Sequence, residues 1–154
     1  MKDKVERINY MWSVVAGVIG AISMGILFLV ALLLKLSRLN IYRLIGSAIL
    51  PERLITGLLS PLVGFLVHTI FGIIFALIFA IFISRRSTSF TGPMYGYVLW
   101  LGIMGGIFPF FKIAPAPWEL GSGTLVTTIL GFLIYGWVLG AIGRKGASRE
   151  EHEK

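Results

Sequence analysis

SPLVGFLVHTIFGIIFALIFA, residues 60–80, decides the fold. No charged residue lies between Arg53 and Arg85, a run long enough for a helix to cross a bilayer core of ~30 Å at ~1.5 Å per residue. Every fourth position is small or special: Ser60, Gly64, His68, Gly72, Ala76 and Ala80. Small residues at that spacing line one side of a helix and let a second helix come close. The stretch therefore predicts a spanning helix with a packing groove, and His68 sits on the groove.

The whole chain repeats this character. It has 154 residues, 56% hydrophobic and 14% charged, and no cysteine; its mean hydropathy is +0.89. A soluble domain carries roughly a quarter of its residues charged, so the expected class is an integral membrane protein without a separate soluble domain. Disulfides, thiolate metal sites and a cysteine nucleophile are excluded by composition. The net charge of +7 is carried by residues that flank the apolar runs, where topology and anionic head groups account for them; nucleic acid is not an expected partner.

Three more uncharged runs predict spans, giving a set at about 11–34, 57–83, 93–111 and 124–142. The first carries a second small-residue stripe, Ser13, Gly17, Ala21 and Gly25; the last carries Gly136 and Gly140 at the same spacing. Between the first two spans, Asn40 is a suitable N-cap and Pro51 disfavours helix at Leu50. Ile41, Leu44, Ile45, Ala48 and Ile49 fall on one helical face, which predicts a short interfacial helix, with a re-entrant or packed loop as the alternative. Pro109 is expected to unwind the end of the third span. Residues 144–154 read as a solvated cytoplasmic tail. With the termini on one side, that side holds nine basic residues, Arg85 and Arg86 among them, against five on the other. Both termini are expected to be cytoplasmic, and Arg43, Arg85 and Arg86 are candidates for anionic lipid. A faint repeat sets His68–Gly72 against Phe132–Gly136, an offset of 64.

Chemistry-bearing residues are few. His68 is the one ionisable side chain inside a span, which by its burial cost marks a functional candidate. It could carry a proton, ligate a metal or haem, or bond a substrate; the alternative is a neutral ring bonded to Ser13, Ser23, Thr127, Thr128, Tyr135 or a backbone carbonyl. Thr127, Thr128 and Tyr135 complete a candidate polar site, with capping and interhelical bonds as their plainer role. No carboxylate lies in any span, which counts against a proton pump, and one histidine is too few for a metal. Hydrolase, phosphate-loop and zinc-protease motifs are absent. No catalytic residue, metal or cofactor is expected.

Two segments carry a resemblance. One runs Gly57-Leu-Leu-Ser through Gly64, His68, Gly72 and Ala76. The other runs Gly92-Pro-Met-Tyr-Gly96 through Trp100, then Thr124–Thr128 and Tyr135-Gly136. They resemble the YqhR-like small membrane proteins of bacilli, and more loosely the YagU-type four-helix inner-membrane proteins. In the looser group a second histidine can precede the Tyr-Gly of the last helix; here Thr127–Gly131 contains none, so no two-histidine site is implied. The resemblance implies a topology and a bacterial plasma membrane rather than an activity.

The expected protein is thus an all-α integral membrane protein, a four-transmembrane-helix bundle packed through Ser60, Gly64, Gly72, Ala76, Gly17, Gly25, Gly136 and Gly140. The expected function is non-enzymatic, that of an accessory or scaffold subunit with a membrane-protein partner or a second copy. The alternative is a small oligomeric transporter or channel with its path near His68.

Overall fold

The computed structural model describes residues 10–55, 57–82 and 90–152, with side chains through 142. Arg85 and Arg86 lie outside the described residues. Helix α1 spans Tyr10–Leu33, α2 Ile41–Ile49, α3 Leu59–Phe82, α4 Thr91–Gly102, α5 Phe108–Phe110 and α6 Ser122–His152. A π-helical segment, Ile103–Ile107, joins α4 to α5. Among the described residues, four stretches are long and apolar enough to cross a membrane: Tyr10–Leu33, Leu59–Phe82, Thr91–Phe110 and Ser122–Ile142.

The bundle is built on two pairs that close through small residues. In the first, a Cβ added at Gly17 would meet the Gly72 carbonyl at 2.8 Å and Ile73 Cα at 2.7 Å, so α1 and α3 touch backbone to backbone. In the second, Gly92 lies against the Gly136 carbonyl and Gly96 against that of Phe132, which seats α4 on α6. Alpha-helix α1 then meets α6 through Gly20 on the Tyr135 ring and Gly131 on Met24 and Phe28. Such approach strengthens dispersion contacts, which must hold helices together where lipid is as apolar as the side chains. Buried Phe28, Phe79, Trp100, Met104, Tyr135 and Leu139 fill the core. The outward faces are aliphatic, as with Ile22, Ile26 and Leu29 on α1 and Leu62, Leu66 and Ile70 on α3.

Helix α2 begins at Asn40, whose Oδ1 accepts from the Arg43 amide at 3.1 Å, and ends where Leu50 turns extended before Pro51. Both are the stops the sequence predicts. Its packing goes beyond them. Gly64 of α3 lies against the Tyr42 backbone and Gly46 against the Ser60 carbonyl, so one turn of α2 matches one turn of α3 in the opposite sense. Buried Ser60 donates to the Arg43 carbonyl at 3.1 Å. Alpha-helix α2 therefore lies antiparallel along the first turns of α3, fastened at two successive levels.

Two features depart from expectation. Pro109 does not unwind the third long helix. The turn before it widens, and the Phe108 amide bonds the Ile103 carbonyl five residues back. A proline ring presses on the carbonyl four residues earlier, here Gly105, and a π-turn is a known way to relieve such crowding without losing the helix. The last helix also does not stop near residue 142; its backbone stays helical to His152, through a run in which Arg144, Lys145, Ala147, Arg149, Glu150 and Glu151 are good helix formers and outnumber Gly143 and Gly146.

Candidate functional site

The candidate site forms where α1, α2 and α3 meet. His68 stands on α3 one turn above Gly64, its imidazole beside the Ala21 backbone of α1. Its Nε2 is buried without a hydrogen-bond partner among the described residues.

Tyr42 closes the site from α2. Its ring meets His68 edge to face, centroids 5.6 Å apart at 81°, and meets Phe65 in the same manner at 5.6 Å and 70°. Its hydroxyl rests on Gly25, where a Cβ would overlap it. Gly25 is thus the opening in α1 that admits this hydroxyl. Burial raises the pKa of the Tyr42 phenol above its ordinary value, so it stays protonated at any physiological pH.

The other candidate residues are occupied elsewhere. Tyr135 packs on Gly20, next to Ala21, and its hydroxyl donates to the Gly72 carbonyl, which places it about one turn from His68. Thr127 donates to the Gly123 carbonyl at 2.7 Å and Thr128 to that of Leu125 at 2.8 Å. Thr128 also accepts from the Trp100 indole at 3.1 Å, tying α6 to α4. Among the described residues, the bonds of both threonines run to α4 and to their own helix, away from His68. Thr124 Oγ1 receives the Ser37 hydroxyl at 3.3 Å and the Arg38 amide at 3.2 Å, which pins the loop after α1 to the start of α6. Of the packing residues, Ser60, Gly64, Gly17, Gly25, Gly72, Ala76, Gly136 and Gly140 all lie buried at helix contacts.

Three residues matter that the sequence reading passed over: Tyr42, Gly46 and Gly20. A signal for two of them exists. Tyr42-x-x-x-Gly46 has the same spacing as Ser60-x-x-x-Gly64, which it meets. Among the described residues, no three His, Cys, Asp or Glu come together in a metal-ligand group.

A family model described as "Family of unknown function (DUF6789)" matches residues 8–154, and the chain belongs to that family. It is also similar to the Uncharacterized protein YqhR of Bacillus subtilis (strain 168), 37% identical over 60 residues. That match takes in 39% of this chain and 34% of the relative, so the chain spans about a third of the curated relative's length. No solved structure matches.

Proposed function

We propose that this family member is a multi-pass protein of a bacterial plasma membrane, with both termini cytoplasmic, that acts without catalysis as an accessory subunit through helix–helix contact. The observation that carries the reading is the unequal use of glycines. Those on α1 and α3, Gly123, Gly131, Gly136 and Gly140 on α6, and Gly92 and Gly96 on α4, are consumed by contacts within the bundle. Gly102, Gly105 and Gly106 are different: a Cβ at any of them would meet nothing within 4 Å. They cluster at the π-turn, beside exposed Val98 and Leu101. Glycine in a helix costs about 1 kcal/mol against alanine, a cost with no return inside this bundle and a return only if another helix approaches there. In this reading α2 follows α3 inward from the membrane surface as a packed segment rather than lying flat.

The absence of native cysteine makes the test clean. A benzophenone attached at Gly102→Cys, in native membranes, is expected to yield a discrete protein adduct, whereas the same probe at Ile22→Cys on α1 yields lipid adducts. Lipid adducts alone at both positions would overturn the reading.

One observation favours a second reading. The unpartnered His68 Nε2, covered by Tyr42, would suit a small transporter whose path opens when α2 moves. Flux through proteoliposomes that is lost in His68→Ala, with the fold retained, would support it; equal flux in both proteins would remove it.

A further inference from the structure

The π-turn leaves two backbone oxygens without donors. In an α-helix the Met104 carbonyl would take the Phe108 amide, but that amide is on the Ile103 carbonyl. The donor one residue further on would be Pro109, which has no N–H. The Gly105 carbonyl loses the same donor, because Pro109 stands four residues after it. Regular pairing returns in α5, where the Phe111 amide is on the Ile107 carbonyl at 3.0 Å, and this assigns the Phe110 amide to Gly106. The polar side chains nearby are engaged elsewhere: the Trp100 indole donates to Thr128, and the Thr128 hydroxyl to the Leu125 carbonyl. A proline alone frees one carbonyl; proline and π-turn together free two.

Such oxygens cost free energy in a span, where lipid offers no donor, and an unpaired buried polar group calls for a partner. Met104 is fully buried, so its oxygen lies behind the surface. Gly105 is partly exposed, between exposed Gly102 and Gly106. No side chain stands over the backbone there, and a Cβ at any of the three glycines would meet nothing within 4 Å. The free Gly105 acceptor is therefore reachable from outside the bundle.

A second copy of the chain does not supply the donor. Within the spans, Ser23 and Thr69 donate to the Ile19 and Phe65 carbonyls of their own helices. Tyr97 and Trp137 have exposed rings, but at other depths. Trp137 adjoins Gly136, which packs on Gly92, and Gly92 lies ~20 Å along the helix from Gly105. Tyr97 lies ~12 Å from Gly105 by the same measure. Copies related by an axis along the membrane normal keep those depths apart.

We propose that the glycine face at the π-turn accepts a hydrogen bond from the transmembrane helix of a different protein, whose hydroxyl or carboxamide donates to the Gly105 carbonyl. The inference names the chemistry of the partner and rests on the accessory-subunit reading for that partner's existence, while the acceptor can be tested alone.

Gly105-Gly106 is the one Gly-Gly pair in the sequence. Isotope labels on glycine carbonyl carbons and glycine amide nitrogens therefore create a single directly bonded pair, and solid-state NMR of the full chain in bilayers reads the Gly105 carbonyl by itself. The probes are two oligoleucine transmembrane peptides, one all leucine and one with a single asparagine ~9 Å from its end, the depth of Gly105 below the end of α5. Wild type is expected to bind the asparagine peptide about fivefold better, the scale of one hydrogen bond, and its Gly105 line to move downfield only with that peptide. Pro109→Ala supplies the missing amide from within the helix and keeps the fold, since alanine is the better helix former. Its Gly105 line is expected downfield without any peptide, and its preference between the peptides lost. A wild-type line already at the Pro109→Ala position (the oxygen satisfied by water), equal binding of the two peptides, or an undiminished preference in Pro109→Ala would overturn the site. In native membranes the benzophenone adduct at Gly102→Cys is expected to fall about fivefold when Pro109→Ala is added. Absence of that adduct from the protein with Pro109 intact, with the peptide preference present, would overturn the accessory reading and sustain the acceptor.

Discussion

The Tyr135 hydroxyl of α6 donates to the carbonyl of Gly72 on α3, the same residue that lets α1 and α3 touch. One glycine thus serves two neighbours. Its missing side chain admits α1, and its carbonyl anchors α6.

The two roles have different weights. Tyr135→Phe removes the hydroxyl but keeps the ring against Gly20, and the Gly72 carbonyl keeps its place in the α3 ladder. The expected loss is about 0.5–1.5 kcal/mol. Gly72→Leu has no such refuge, because its Cβ would lie 2.8 Å from Ala21 Cβ and 3.1 Å from the Gly17 carbonyl. It must part α1 from α3, with an expected loss of several kcal/mol at the upper end of single substitutions. Unfolding of the two variants by denaturing detergent measures both; equal losses would mean that the α1–α3 seam does not carry the fold.

Gly64→Ala separates α2 from the rest. The added methyl would overlap the Tyr42 backbone, which is part of a helix and cannot rotate away. Helix α2 is expected to leave α3, while the α1–α6 and α4–α6 contacts, made by other residues, persist. Hydrogen exchange should show protection lost across 41–49 and retained across α6. Uniform loss of protection would make α2 part of the cooperative core.

These cases show what a sequence can and cannot reveal here. Long uncharged runs, the Asn40 cap and the Pro51 stop are local signals, and the structure keeps each of them. The stripes at Gly17 and Gly64 are legible as packing surfaces because four-residue spacing falls on one helix face. Their partners are not legible: Gly17 meets α3 but Gly64 meets α2, and nothing local distinguishes them. The orientation of α2 is hidden for a related reason. An apolar face made by Ile41, Leu44, Ile45, Ala48 and Ile49 looks the same whether it covers lipid or protein, and the contact with α3 is made instead by Tyr42 and Gly46. The π-turn was within reach, since Pro109 must crowd the carbonyl of Gly105.

Lys35 ends α1 as Lys112 ends α5. Its φ is +59°, with the Lys35 amide on the Leu32 carbonyl at 3.1 Å and the Leu36 amide on that of Ala31 at 2.8 Å. Glycine at this position relieves the left-handed strain and keeps both bonds, so Lys35→Gly is expected to stabilise the fold by up to about 1 kcal/mol. Thermal melting measures it. A lower melting temperature would show that the ammonium contributes more at the helix end than the strain costs.

His68 offers the sharpest contrast between packing and chemistry. Its buried Nε2 has no hydrogen-bond partner among the described residues, and a buried polar atom left unpaired costs about 1–3 kcal/mol. His68→Phe removes that atom and keeps a flat ring facing Tyr42 edge to face, so the variant is expected to match or exceed wild-type stability. His68→Ala also leaves a hole under Tyr42 and is expected to fall below both, by about 2 kcal/mol or more. The ordering Phe at or above His, with Ala lowest, is what a ring held for its shape produces. A Phe variant clearly less stable than wild type in lipid would mean that Nε2 finds a partner there, and would move His68 from the packing seam to the centre of the transport reading.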